Sequence, residues 1–379
     1  MKNKERNSNF ELMRIIAMLF IVLWHIYLYG GIKNNPRIIN TNIAIIFEFI
    51  SFILMVHVNS FVILTGYFQS KADFKIKKFF SLLDSMFFYR IIFLILFCSL
   101  GIITLTKAEM IDKIFTRDYW FIQVYLVLYL VSPFLNIFIK KIDKKNYQKL
   151  LLVLFFILSI IPFITGNKTY VFNDGYNLSN FIYMYLIGGY LRKYPIKESY
   201  IFKILSKNLY RLVLVFVFIL CFMINYMNTK TFGLLSSSNT VLGLINSNYS
   251  HIYNVYSNPF VIIQTISFFL IFESIDFKSK IINKISSLVL GVYFIHENGF
   301  VRTYLYKWLK IDNGIVTSYK FILYVFLMAI LIFVCSLIIE FIRQMIFKFI
   351  KSRKITKKIE NKASIYIRSV RVKESNINE

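Results

Sequence analysis

Apolar runs long enough to cross a bilayer recur along the whole chain. They fall near residues 10–30, 42–69, 79–105, 118–139, 149–165, 179–191, 212–228, 256–274, 285–300 and 318–347. Hydrophobic residues make up 57% of the 379, more than a soluble domain of this size needs to fill its core. Backbone polar groups in lipid have to be satisfied within the segment, which leaves the helix as the form such runs take. The expected fold is all-α: a polytopic transmembrane bundle of about ten spans with both termini in the cytoplasm. It divides into a short N-terminal segment (1–9), a transmembrane domain (10–347) and a basic tail (348–379).

The formal net charge of +26 does not point to nucleic acid, because of where the charge lies. With the N-terminus inside, about three-quarters of the 45 lysines and arginines fall in segments on the cytoplasmic side. That bias sets the orientation of a membrane chain; the expected location is the cell (plasma) membrane. Membrane lipids are the expected surroundings, and the basic tail either rests on anionic headgroups or is simply solvated. The external stretch 229–255, Ser/Asn-rich and containing His251, reads as a partly re-entrant or surface loop. Cys98, Cys221 and Cys335 lie inside apolar runs without metal-ligand spacing, so neither a disulfide framework nor a metal site is expected.

The first run, FELMRIIAMLFIVLWHIYLYG, carries Glu11, Arg14 and His25. Ionisable groups inside a span are costly and mark function by default. Arg14 and His25 are eleven residues apart, three helical turns plus about 20°, so they share one face about 16 Å apart along the axis. Counting inward from each cytoplasmic boundary puts His25, His57, Arg90 and His296–Glu297 at roughly 16–21 Å depth. Asn59 lies close to His57. Four polar positions at one depth predict a shared cavity rather than four separate lipid-facing charges. Such groups also serve as helix–helix hydrogen bonds, but their coincidence at one level favours a site.

These residues also carry a resemblance. RNSNFELMRIIAMLFIVLWH resembles the opening of the membrane acyltransferase-3 family, integral-membrane O-acyltransferases of surface carbohydrates, whose first span holds an Arg, ten residues and a His; here these are Arg14 and His25. Similar stretches follow in order: VNSFVILTGYFQSK (58–71), YWFIQVYLVLYLVSPFLN (119–136), IYMYLIGGYLRK (182–193) and LGVYFIHENGFVR (290–302). The chain departs from some members in having Trp24 before the histidine, where they have an acidic residue. It has Arg90 with Phe87 three residues earlier, where others have paired arginines.

The resemblance implies acyl transfer, typically from acetyl-CoA, to a hydroxyl of a cell-surface or lipid-linked glycan. On that scheme Arg14, with Lys75, Lys77 and Lys78, binds the phosphates of acetyl-CoA. His25 acts as general base or as a transient acyl carrier. Arg90 stabilises the oxyanion, His296–Glu297 orient His25 or bind the sugar, and His57 and Asn59 face the acceptor. The competing expectation, from another functional class, is a flippase or transporter of polyprenyl-linked saccharides. Against it stand the Arg-ten-His match and the lack of a visible internal repeat.

Overall fold

The computed structural model describes residues 7–33, 35–38, 41–115, 118–165, 173–198, 205–236, 255–308 and 318–352. Loop residues 237–254 with His251, and the tail from residue 353, lie outside the described residues. The described chain is helical, with no strand.

Among the described residues, seven helices are long and apolar enough to cross a membrane. They are α1 (Ser8–Tyr29), the pair α2 (Asn42–Leu54) and α3 (His57–Gln69) acting as one span, α4 (Ile76–Ser99), α6 (Trp120–Lys141), α7 (Lys144–Thr165), the Lys207–Lys230 part of α9 (Lys207–Ser236), and most of α14 (Lys320–Ser352). A short helix, α5 (Lys107–Phe115), links α4 to α6. Three of the ten expected spans take another form. Two are short helices, α8 (Leu178–Lys193) of 16 residues and α10 (Pro259–Glu273) of 15. At 1.5 Å per residue these reach about 24 Å, short of the roughly 30 Å hydrocarbon core. The third, expected over 285–300, is broken into α11 (Lys280–Ser286), α12 (Val289–His296) and α13 (Gly299–Trp308). The expected loop also starts later than 229, because α9 continues to Ser236.

Local chemistry sets these boundaries. Asn177 caps α8 by accepting from the Asn180 N–H, and Asn258 caps α10 from Phe260 and Val261, with Pro259 at the first helical position. Both satisfy donors that a helix start leaves open. Asn298 does the same for α13, accepting from Phe300 N at 3.1 Å. At the break between α12 and α13, Glu297 closes the first helix and Asn298 starts the next. Such breaks are tolerated at membrane depth where protein buries them.

α1 is the hub. It packs against α2, α3, α10, α11, α12 and α14. Its first turn is tied down: Asn9 donates to the Phe272 carbonyl at 2.8 Å, and the Ser8 hydroxyl bonds Asn283 at 2.9 Å. α3 and α8 cross backbone to backbone. A Cβ on Gly66 would sit 2.1 Å from the Tyr185 carbonyl oxygen, and one on Gly188 2.1 Å from that of Ile63. Small residues at such a crossing let two helices meet where lipid offers no hydrophobic driving force.

Candidate active site

The segment from α11 through α12 runs alongside α1 in the same direction. Glu11 meets Ser286 at one level, and His25 meets His296 nearly four turns further along α1. Arg14 and His25 therefore face the same neighbouring segment, as their eleven-residue spacing predicts.

At the Arg14 end, the guanidinium lies 2.7 Å from Glu11 Oε2, which also accepts from the Ser286 hydroxyl at 2.5 Å. Arg14 stacks over Phe68 with its guanidinium carbon 5.4 Å from the ring centroid. It opens onto a cavity of about 220 Å³ whose polar lining includes Arg14, Lys78, Thr65 and Ser286, with Phe121 and Tyr125 among its apolar walls. A half-buried arginine and a lysine over mostly apolar walls suit an anionic group on an apolar stem. Of the three lysines considered with Arg14, only Lys78 lines this cavity. Lys75 caps α4, its backbone N–H and C=O both bonded to the Tyr129 hydroxyl, and Lys77 is exposed.

Toward the other end of α1, His25, His296 and Glu297 are buried together. His25 Nδ1 lies 3.0 Å from His296 Nε2 and 2.8 Å from Glu297 Oε2. The second nitrogen of His296, Nδ1, lies 2.5 Å from the Val292 carbonyl oxygen, one turn back on α12. A carbonyl only accepts, so His296 Nδ1 carries the proton and its Nε2, in the neutral ring, offers a lone pair. The matching donor is the Nδ1–H of His25. Glu297 Oε2, close to the same nitrogen but outside hydrogen-bond geometry, adds negative charge beside it. By this chain of partners His25 keeps its proton on Nδ1 and its lone pair on Nε2.

Glu297 is held by Arg302, whose Nη1 donates to Oε1 at 2.5 Å and whose guanidinium lies over the Tyr29 ring at 4.6 Å. Tyr29 in turn packs 5.3 Å from His25. Arg302 and Tyr29 are absent from the sequence-derived site. Arg302 lies just beyond the span expected over 285–300, and the α12–α13 break folds it back over Glu297. The one available signal was its place five residues after Glu297 in HENGFVR.

The donor atoms of His25, His296 and Glu297 all lie within 4.8 Å of one another. Ligand atoms sharing a tetrahedral metal at about 2.0–2.1 Å would be about 3.3 Å apart. Both the 2.8 and the 3.0 Å contacts are shorter than that; the 3.0 Å one is a hydrogen bond between the two rings and the 2.8 Å one sets a carboxylate charge beside His25.

The remaining sequence-derived residues take other places. His57 opens α3 at the Met55–Val56 turn, buried against Trp24, 6.1 Å between ring centroids, and Tyr256, at 5.4 Å. Asn59 donates to the Tyr256 carbonyl and accepts from Asn180, tying the start of α10 to α3 and α8. Arg90 donates to the carbonyls of Ile114 and Asp118, at 3.0 and 2.7 Å, beneath the Tyr119 ring. The Tyr119 hydroxyl accepts from Asn298 and donates to the Phe294 carbonyl, so Arg90 braces the start of α6 against the α12–α13 break.

The family model for the acyltransferase domain matches residues 7–341, nearly the whole described bundle. The chain belongs to the acyltransferase-3 family. Neither the curated proteins nor the solved structures hold a significant match. Family and helices together make this a helical membrane acyltransferase. In this acyltransferase-3 protein, the Arg-ten-His pair of the first helix sits against two different halves of one neighbouring segment, Arg14 beside Ser286 and His25 beside His296.

Proposed function

We propose that this protein transfers an acetyl group from cytoplasmic acetyl-CoA to a hydroxyl of a cell-surface or lipid-linked saccharide. The observation that carries the reading is the pairing on α1 of a cationic cavity at Arg14 with a tautomer-fixed histidine about 16 Å further along. In this reading both termini are cytoplasmic, the short α8, α10 and α12 complete ten crossings, and Arg14 faces the compartment where acetyl-CoA is made. Arg14 and Lys78 bind the donor's phosphates as charge-assisted contacts, and Glu11 with Ser286 holds the Arg14 guanidinium in place. The extended pantetheine arm carries the thioester toward His25.

There the acceptor hydroxyl gives its proton to His25 Nε2 as its oxygen bonds to the acetyl carbon. The imidazolium that forms is stabilised by Glu297, and His296 holds the ring through Nδ1. The C–S bond breaks, the proton passes from Nε2 to the departing sulfur, and the products are the acetyl ester and CoA. Arg90 acts in this scheme by supporting the α12–α13 break, with His57 and Asn59 bracing the neighbouring wall near the acceptor.

The test uses purified protein with labelled acetyl-CoA and a saccharide acceptor. His25→Ala is expected to abolish acceptor-dependent CoA release while the protein remains abundant and binds acetyl-CoA. Retained turnover removes His25 from the chemistry. A chain that neither binds acetyl-CoA nor releases CoA is a flippase or transporter instead.

A further inference from the structure

Behind the histidine cluster lies a second cavity of about 320 Å³, formed by α4, α12, α13 and α14. Its lining includes Phe97, Leu100, Ile295, Leu305, Trp308 and Cys335, and also His296. Both ring nitrogens of His296 are taken, by Val292 and by His25, so neither is left to polarise the groove. Ser336 is the other polar side chain on the lining and is buried. The rim is open on the side a bilayer would cover: Leu100 is 63% exposed, Trp308 58% and Leu96 43%. This dry groove thus opens to lipid at one end and, at the other, reaches His296, a residue bonded to His25. At the small end of ligand pockets, its volume fits a stretch of one chain.

α13 ties this groove to a charge. Val301, Leu305 and Trp308, at i, i+4 and i+7, line the groove. One residue on, Arg302 turns to Glu297 and Tyr29. A guanidinium has five N–H donors; Glu297 accepts from one of them and Tyr29 engages the group as well. The same helix thus offers an apolar surface to a chain and, on its neighbouring face, a cation beside His25.

Resting on the acyl-transfer reading above, we propose that the groove seats the hydrocarbon chain of a polyprenyl phosphate carrying the acceptor saccharide, with Arg302 contacting the phosphate. The acceptor then enters sideways from the bilayer and the donor from the Arg14 cavity, so the two substrates approach His25 by separate routes. An ordinary phospholipid also fills apolar grooves. It differs in having two tails and a glycerol-borne headgroup, and the test is built on that difference.

The probe is a benzophenone-bearing farnesyl phosphate, photolysed with the full chain in nanodiscs of phosphatidylethanolamine and phosphatidylglycerol. Adducts are expected on groove residues, displaced by unlabelled farnesyl phosphate and about tenfold less well by farnesol, a difference of about 1.4 kcal/mol. Leu305→Trp is expected to cut labelling about tenfold, with Cys335→Phe as a second filling variant should the first not fold. Displacement by phosphatidylglycerol as effective as by farnesyl phosphate, adducts elsewhere, or labelling unchanged in a folded groove-filled variant would overturn the proposal. Acetyl-CoA binding is read in the same discs. Its absence from the unaltered protein overturns the donor reading, whereas groove labelling stands or falls by its own result.

Discussion

Replacing Glu297 with Gln tests the relay at its charge. The side chain is 97% buried by side-chain area and lies between two cationic partners in the proposed transition state, His25 at 2.8 Å and Arg302 at 2.5 Å. Gln keeps the volume and the Arg302 contact but removes the negative charge that would face an imidazolium. Two unit charges about 4 Å apart interact by about 4 kcal/mol at an effective dielectric near 20, and charged hydrogen bonds contribute about 1.5–3 kcal/mol net. Taking about 2–3 kcal/mol lost from the transition state alone, kcat should fall about 30- to 150-fold. The ground state holds a neutral His25 and the donor's phosphates are bound some 16 Å away, so KM for acetyl-CoA should stay within about twofold, a negligible free-energy change.

Stability should change modestly, because the Arg302 side chain is 31% exposed and regains hydration once its partner is neutral. The assay is CoA release against acetyl-CoA concentration at fixed acceptor, with thermal unfolding of the purified protein as control. A kcat unchanged within about twofold in a folded variant, or a loss confined to KM, would refute the relay.

Arg14→Ala should raise KM for acetyl-CoA about tenfold or more, corresponding to one lost charge-assisted contact. Lys78→Ala should raise it less and Lys77→Ala not measurably, because only Lys78 lines the cavity; titrated donor binding separates the three. Gly66→Ala brings a methyl 2.1 Å from the Tyr185 carbonyl oxygen, and forcing α3 and α8 apart should cost about 1–3 kcal/mol, read as a lower unfolding temperature. Gly291→Ala places its Cβ 2.4–2.6 Å from the Glu340 side chain, which accepts from Tyr89, Arg343 and Gln344. A similar destabilisation is expected, with partial recovery in Gly291→Ala/Glu340→Ala if the collision with Glu340 is its cause.

The placement of Asn59 and Glu340 explains how polar residues mislead when read from order alone. The sequence sets Asn59 beside His57 as an acceptor-facing residue, but its amide is taken up by the Tyr256 carbonyl and Asn180. Glu340, late in the last apolar run, is buried and gathers three donors from α4 and α14. A buried amide or carboxylate must find partners wherever the fold brings them, and those partners lie up to 251 residues away.

By itself the sequence determined that the chain is helical and membrane-adapted, that Arg14 and His25 share a face, and that His296–Glu297 belong near His25's level. These follow from run length and from the 3.6-residue period, which act within one segment. Only the tertiary structure decided which nitrogen of His25 holds its proton, because that depends on a carbonyl of α12 acting through a second histidine. Only it recruited Arg302, by breaking a stretch that reads as one continuous span. It also separated Lys78 from Lys75 and Lys77, neighbours in sequence whose side chains a helix spreads around its axis by about 100° per residue.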